Sequence, residues 1–127
     1  MLEPPPALLV ATGGALGALA RWGLGTWFAA RLGASWPWGT LVINVSGCLA
    51  IALFFTLTGE RLSPAPSWRY FFPIGFVGAY TTFSTFEYEL LRLLETGDLR
   101  GALAYFALSN GLGFGAVLLG VWLARRL

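Results

Sequence analysis

Two stripes of polar residues and one hydroxyl-rich string carry the side chains of this chain that could do chemistry. Thr40, Asn44 and Cys48 stand at i, i+4 and i+8, which puts them on one face of a helix with Gly47 beside them. Tyr105, Ser109 and Gly113 repeat that spacing, with Asn110 next to the stripe. Between the two lies TTFST, where Thr81, Thr82, Ser84 and Thr85 give four hydroxyls in five residues, and Phe83 and Phe86 fall three apart. Inside a membrane, such groups either join helices by hydrogen bonds or line a permeation path. Taken singly, each is explained by an interhelical hydrogen bond. Their concentration on three segments, with no carboxylate among them, favours a donor-lined path. Carboxylates would point to cations or proton coupling. Neutral donors, with Arg21 inside the first apolar segment, point to an anion.

The composition sets the medium in which these groups work. Charged residues are 11% of the 127 and hydrophobic residues 57%, against a charged share of about 25% in soluble domains. A soluble particle of this size could not cover its surface with so few charges. The chain reads as a membrane protein, with residues 1–127 forming a single transmembrane channel domain. The eight cations are all arginine, at positions 21, 31, 61, 69, 92, 100, 125 and 126, with no long like-charged run to track a phosphate backbone. Nucleic-acid binding is thereby excluded. The absence of histidine removes the usual proton shuttle and the commonest metal ligand. Cys48 stands alone, so no disulfide framework forms within one chain. The N-terminal MLEPPP has no basic region of the kind that opens a signal peptide.

The elements that position the polar stripes follow from the uncharged runs, since crossing the hydrocarbon core takes about 20 apolar residues at roughly 1.5 Å each. Residues 32–59 and 101–124 carry no charge and predict two transmembrane helices. A third is predicted from about Ala7 to Ala29, with Arg21 inside it and Pro4–Pro6 as an extended lead-in. The remaining span is short: seventeen uncharged residues separate Arg69 from Glu87, including Pro73, Gly75, Gly78 and the TTFST string. This pattern predicts a helix interrupted near Gly78–Thr82 that resumes through Phe83–Leu94. Non-helical backbone at that depth is tolerated where protein or a water-filled cavity surrounds it. The alternative is a bent helix whose hydroxyls bond back to the preceding turn. The fold class is therefore all-α and integral to the membrane, with four transmembrane helices of which the third is interrupted near mid-membrane.

With four spans, Arg61, Arg69, Arg125 and Arg126 fall on one side, and Arg31, Arg92 and Arg100 on the other, with Arg21 as a fourth. The Lys/Arg bias that orients membrane proteins is close to nil. Insertion in both orientations is the expectation, and an antiparallel homodimer is then open to the chain; the alternative is a weakly biased protein oriented by something else. Other signals lead nowhere. GGALG at Gly13–Gly17 follows no strand and precedes no suitably spaced acid, so it reads as a helix-packing surface rather than a dinucleotide site. Without lysine there is no P-loop, and without histidine no Ser–His–Asp set. No enzyme is expected.

GTLVINVSGC in the second span and GFVGAYTTFSTFEYE in the third, with GGALGALARWGLG in the first and YFALSNGLG in the fourth, resemble the Fluc (CrcB-type) family of small fluoride channels along essentially the whole chain. The resemblance implies an antiparallel homodimer with two pores that passes fluoride out of the cytoplasm passively, reducing its toxicity, across the cell (inner or plasma) membrane. It implies a structural Na⁺ at the dimer centre, held by the Gly78 and Thr81 carbonyls. It places Asn44, Phe83, Phe86, Tyr105 and Ser109 on the fluoride path, joined by Thr40, Thr82, Ser84 and Thr85 from the stripes, and sets Arg21 and Glu89 as charges at the approach. Two positions depart from the pattern: Glu87 stands where a small polar residue is more usual, and Gly113 where a hydroxyl is frequent. Fluoride is small and strongly hydrated, so its path must offer donors in place of water. Phenylalanine edges present positive charge density without a fixed charge. Two other readings fit the size: a small dual-topology proton-coupled exporter, which needs a mid-span carboxylate that is missing here, and a non-transporting scaffold subunit, which leaves the TTFST break unexplained.

Overall fold

The computed structural model describes residues 3–60 and 62–127, and every regular element in them is helical. Arg61, one of the cations in the orientation count, lies outside the described residues. Helix α1 runs Pro6–Leu32, opening after Pro5 in extended conformation, where a proline at the first helical position costs no hydrogen bond. It ends on Gly33 at φ 79°, a conformation that favours glycine, with the Gly33 N–H donating to the Ala29 carbonyl at 3.0 Å. Helix α2 is Trp38–Glu60. Helix α3 covers residues 67–80 in three windings: α at Ser67–Arg69, π at Tyr70–Val77, and α again at Gly78–Tyr80. Helix α4 is Phe83–Glu95 and α5 is Leu99–Arg126, the latter capped by the Asp98 carboxylate on the Gly101 N–H at 2.8 Å.

Three of these helices, α1, α2 and α5, are long and apolar enough to cross a membrane. The α3–α4 segment is a long helix interrupted at Thr81 and Thr82, whose backbones are extended (φ −83°, ψ 154° and φ −150°, ψ 111°). Interruption, not bending, is the outcome, although the Thr81 hydroxyl does bond back to the Val77 carbonyl at 3.0 Å. The break is narrower than expected. Gly78 is helical at φ −59°, ψ −37°, because the Thr81 N–H still closes the last turn on the Val77 carbonyl at 3.0 Å. The π winding around Pro73 was not foreseen from the sequence. A proline within a helix removes an N–H and clashes with the carbonyl four residues back, and a wider turn relieves that clash.

Small residues set the packing. A Cβ at Gly13 would run into the Phe71 carbonyl and one at Gly17 into the Phe76 carbonyl, so the GGALG string lets α1 lie directly on the π segment. Gly75 answers from the other side, its missing Cβ 2.9 Å from the Val10 carbonyl. On α5, Gly120 faces Ala52 and the Leu49 carbonyl of α2, each 2.9 Å from where a Cβ would sit. Close backbone approach through small residues is how helices associate where no hydrophobic effect drives them together. A cluster of buried apolar side chains joins α4 to α5: Phe86, Leu93, Ala102 and Tyr105, with Trp36 and Leu90 against it. The Trp36 indole N–H donates to the Gly101 carbonyl at 3.1 Å and pins the α1–α2 link there. Most other large apolar side chains, Leu19, Trp22, Leu103, Phe114 and Leu118 among them, point outward.

Candidate functional site

The break is held open by Asn44. Its Oδ1 accepts the Thr82 N–H at 2.8 Å, and its Nδ2 donates to the Thr82 carbonyl at 3.0 Å. The side-chain amide thus takes both backbone groups of one extended residue, as a neighbouring strand would. Thr82 then caps α4: its Oγ1 accepts the Thr85 N–H at 3.2 Å and donates to the Thr85 hydroxyl at 2.9 Å. In an uninterrupted helix the Thr82 N–H would donate to the Gly78 carbonyl and the Thr85 N–H to the Thr81 carbonyl. Both donors are diverted, so Gly78 and Thr81 lose the partners that a continuous helix would give them.

Beside the break a cleft of about 290 Å³ is lined by Asn44, Gly47, Cys48, Thr81, Thr82, Phe83, Phe86, Ser109 and Asn110, among others. Asn44 and Cys48 from one stripe and Ser109 from the other therefore meet Thr81 and Thr82 in one place. The Ser109 hydroxyl oxygen is buried there without a hydrogen-bond partner. Asn44 has one Nδ2 hydrogen beyond the one spent on Thr82. Asn110, by contrast, turns its amide back to the Phe106 carbonyl at 2.8 Å. Gly113 is buried against Cys48, whose sulfur would lie 3.6 Å, an ordinary contact, from a Cβ at that position.

A second cleft of about 590 Å³ lies at the α1–α2 link, lined by Gly25, Trp36, Trp38, Thr40, Glu89 and Arg92 among others. Its inner end is a knot on the Glu89 carboxylate. Thr40 donates to one oxygen at 2.9 Å and Tyr105 to the other at 2.7 Å. Tyr105 is fully buried and stacks on Phe86, with centroids 5.1 Å apart. Phe86 in turn lines the first cleft, and its ring lies 5.9 Å from that of Phe83. Tyr105 thus links Glu89, which lines the second cleft, to Phe86, which lines the first.

Of the residues singled out in the sequence, Asn44, Thr82, Phe83, Phe86 and Ser109 line the first cleft, and Thr40 and Glu89 line the second. Tyr105 joins the two. Ser84 and Thr85 line neither; they belong with Thr82 in the cap, Ser84 Oγ lying 3.5 Å from Thr82 Oγ1. Arg21 also lines neither, although its Nε is buried without a partner. Phe83 is 74% exposed, while Phe86 is 5% exposed. Glu87 points outward. The shared attachment of Thr40 and Tyr105 to Glu89 was not read from the sequence, and neither was Arg92 beside it. The signal present was the i, i+3 spacing of Glu89 and Arg92, which puts both on one face of α4. Among the described residues no three His, Cys, Asp or Glu side chains gather to hold a metal.

Comparison with known proteins identifies a family. Residues 8–121 match the family described as "CrcB-like protein, Camphor Resistance (CrcB)". A protein of Acidobacterium capsulatum named "Fluoride-specific ion channel FluC" is 50% identical over 120 residues, 94% of this chain and 96% of its own. One of the same name from Solibacter usitatus is 50% identical over 119 residues, covering 94% and 98%. Another from Trichormus variabilis is 42% identical over 129 residues, covering 98% and 94%. These relatives bear the name of an ion channel, not of an enzyme. With three helices of spanning length, the chain is a multi-pass membrane protein, and it belongs to the CrcB family.

Proposed function

We propose that this chain is a fluoride-selective channel that passes fluoride out of the cell down its electrochemical gradient. The observation that carries the reading is the near-full-length identity to relatives named fluoride-specific ion channels. The first cleft supports it chemically. The unpartnered Ser109 hydroxyl and the remaining Asn44 hydrogen are donors for an anion stripped of water. The edges of Phe83 and Phe86 add positive charge density that does not trap the ion. Serial weak sites are what conduction requires. The carboxylate of Glu89, held by Thr40 and Tyr105, lies at the approach to them. Arg21 supplies positive charge within α1.

The assembly proposed is an antiparallel homodimer with two pores, its third and fourth helices crossing at the centre. Two observations support it: the near-equal arginine counts on the two sides and the exposure of Phe83 beside the break. A Na⁺ at that centre would rest on the Gly78 and Thr81 carbonyls of both protomers. The chain's own contribution is to free those oxygens by diverting the Thr82 and Thr85 N–H groups. A bound cation would offset the partial charges of the interrupted backbone ends. Purified protein in fluoride-loaded liposomes tests the function. Fluoride should leave when an ionophore relieves the voltage, while chloride is retained. Equal loss of both ions, or of neither, would overturn the proposal.

A further inference from the structure

We infer that α2 carries a three-residue cradle, Asn44, Ser46 and Gly47, that sets the conformation of the break, making Ser46 and Gly47 positioning residues whose side chains offer the anion no donor. Two of them grip the residues of the interruption and the third grips the helical residue just before it. Asn44 holds both backbone groups of Thr82. Gly47 receives the Thr81 methyl, which a Cβ at that position would strike. Ser46 holds Tyr80: the two hydroxyls lie 2.8 Å apart, and because Ser46 donates to the Ile43 carbonyl at 3.0 Å, the Tyr80 O–H donates to Ser46. Three consecutive residues, Tyr80, Thr81 and Thr82, are thus met by Ser46, Gly47 and Asn44 from about one turn of α2.

Thr81 has no freedom to yield. Its hydroxyl is committed to the Val77 carbonyl at 3.0 Å, so rotating the side chain to clear a new methyl at position 47 would break that bond. Tyr80 is fixed from the other side as well, stacked on Phe76 at 5.7 Å, with Phe76 stacked on Phe72 at 5.8 Å. The backbone at 80–82 is thus clamped against α2 while α3 is clamped by its own aromatic column. What the cradle fixes is the direction of the carbonyls that the break sets free. The inference rests on the proposed function for its flux readout only, because amide exchange at Thr82 reads the break without any ion.

The test compares four variants of the full-length protein: Gly47→Ala, Thr81→Ser, the two combined, and Asn44→Ala. Deuterium exchange at Thr82 should quicken about tenfold in Asn44→Ala, the effect of losing one hydrogen bond. Gly47→Ala should lower fluoride efflux at least roughly tenfold, or fail to assemble, since overpacking against a fixed neighbour forces the backbone to move. Thr81→Ser removes the obstructing methyl and keeps the hydroxyl, so the combined variant should regain assembly and the efflux of Thr81→Ser. Two results would overturn the cradle: unchanged Thr82 exchange in Asn44→Ala, or a combined variant no better than Gly47→Ala. If the unaltered protein passes no fluoride, the function fails, and the exchange and assembly comparisons still decide the cradle.

Discussion

At the scale of single residues, the Asn44 amide serves two neighbours at once. One acceptor site and one hydrogen go to Thr82, and one hydrogen remains for the cleft. Asn44→Asp keeps the size but turns a donor into a charge that repels both the Thr82 carbonyl and an arriving anion. Fluoride efflux from liposomes should be abolished. Hydrogen bonds to charged groups contribute about 1.5–3 kcal/mol, and roughly 1.4 kcal/mol is a tenfold change in rate, so loss of even one such bond slows flux by an order of magnitude. Ser109→Ala separates path from packing more cleanly. Its hydroxyl is buried without a partner, so removing it should leave thermal stability unchanged or slightly raised while efflux falls about tenfold. A matching fall in stability would mean that Ser109 serves packing instead. Phe83→Ile and Phe86→Ile should both slow efflux with assembly intact. Only the second should also lower stability, because Phe86 stacks on Tyr105 in the core whereas Phe83 is exposed.

At the scale of elements, glycines decide which helices touch. Gly17→Val should cost most of the folded protein, judged by the monodisperse yield after extraction, because its Cβ would meet the Phe76 carbonyl, which cannot move away. Gly23→Ala, one and a half turns on, should be tolerated, since nothing lies within 4 Å of a Cβ there. Much of this level was legible in the sequence. Charge-free runs located α1, α2 and α5, and the crowding of small and hydroxyl residues located the break. Helical spacing brings Asn44 and Cys48 of α2 and Ser109 of α5 to one cleft, while Thr40, one turn before Asn44, lines the other. What stayed hidden depended on contacts between elements. The π winding is a response of α3 to Pro73 while it packs on Gly13 and Gly17. The Glu89 knot needs Thr40, 49 residues away, and Tyr105, 16 away, to converge on one carboxylate. Gly78 opens the Gly78–Thr82 stretch in which residue types put the break, yet it stays helical because the Thr81 N–H closes the turn around it, and only the end of the stretch is extended.

At the scale of the whole molecule, the proposal is that one sequence inserts in both orientations and pairs with itself. Orientation follows cations near the ends of spans, so adding lysines after Leu127 should bias insertion and reduce efflux when that variant is expressed alone. Co-expression with an oppositely biased variant should restore it. Labelling of single cysteines from both sides of the membrane checks the premise, and a single orientation for the unmodified protein would remove it. The central claim is that the donors around the break select fluoride, and the most direct test is electrical. Purified protein in a planar bilayer should carry a current that reverses at the fluoride equilibrium potential, about 59 mV for a tenfold fluoride gradient, with chloride gradients leaving that potential where it is. A reversal potential that follows chloride or protons, or no current at all, would contradict the account.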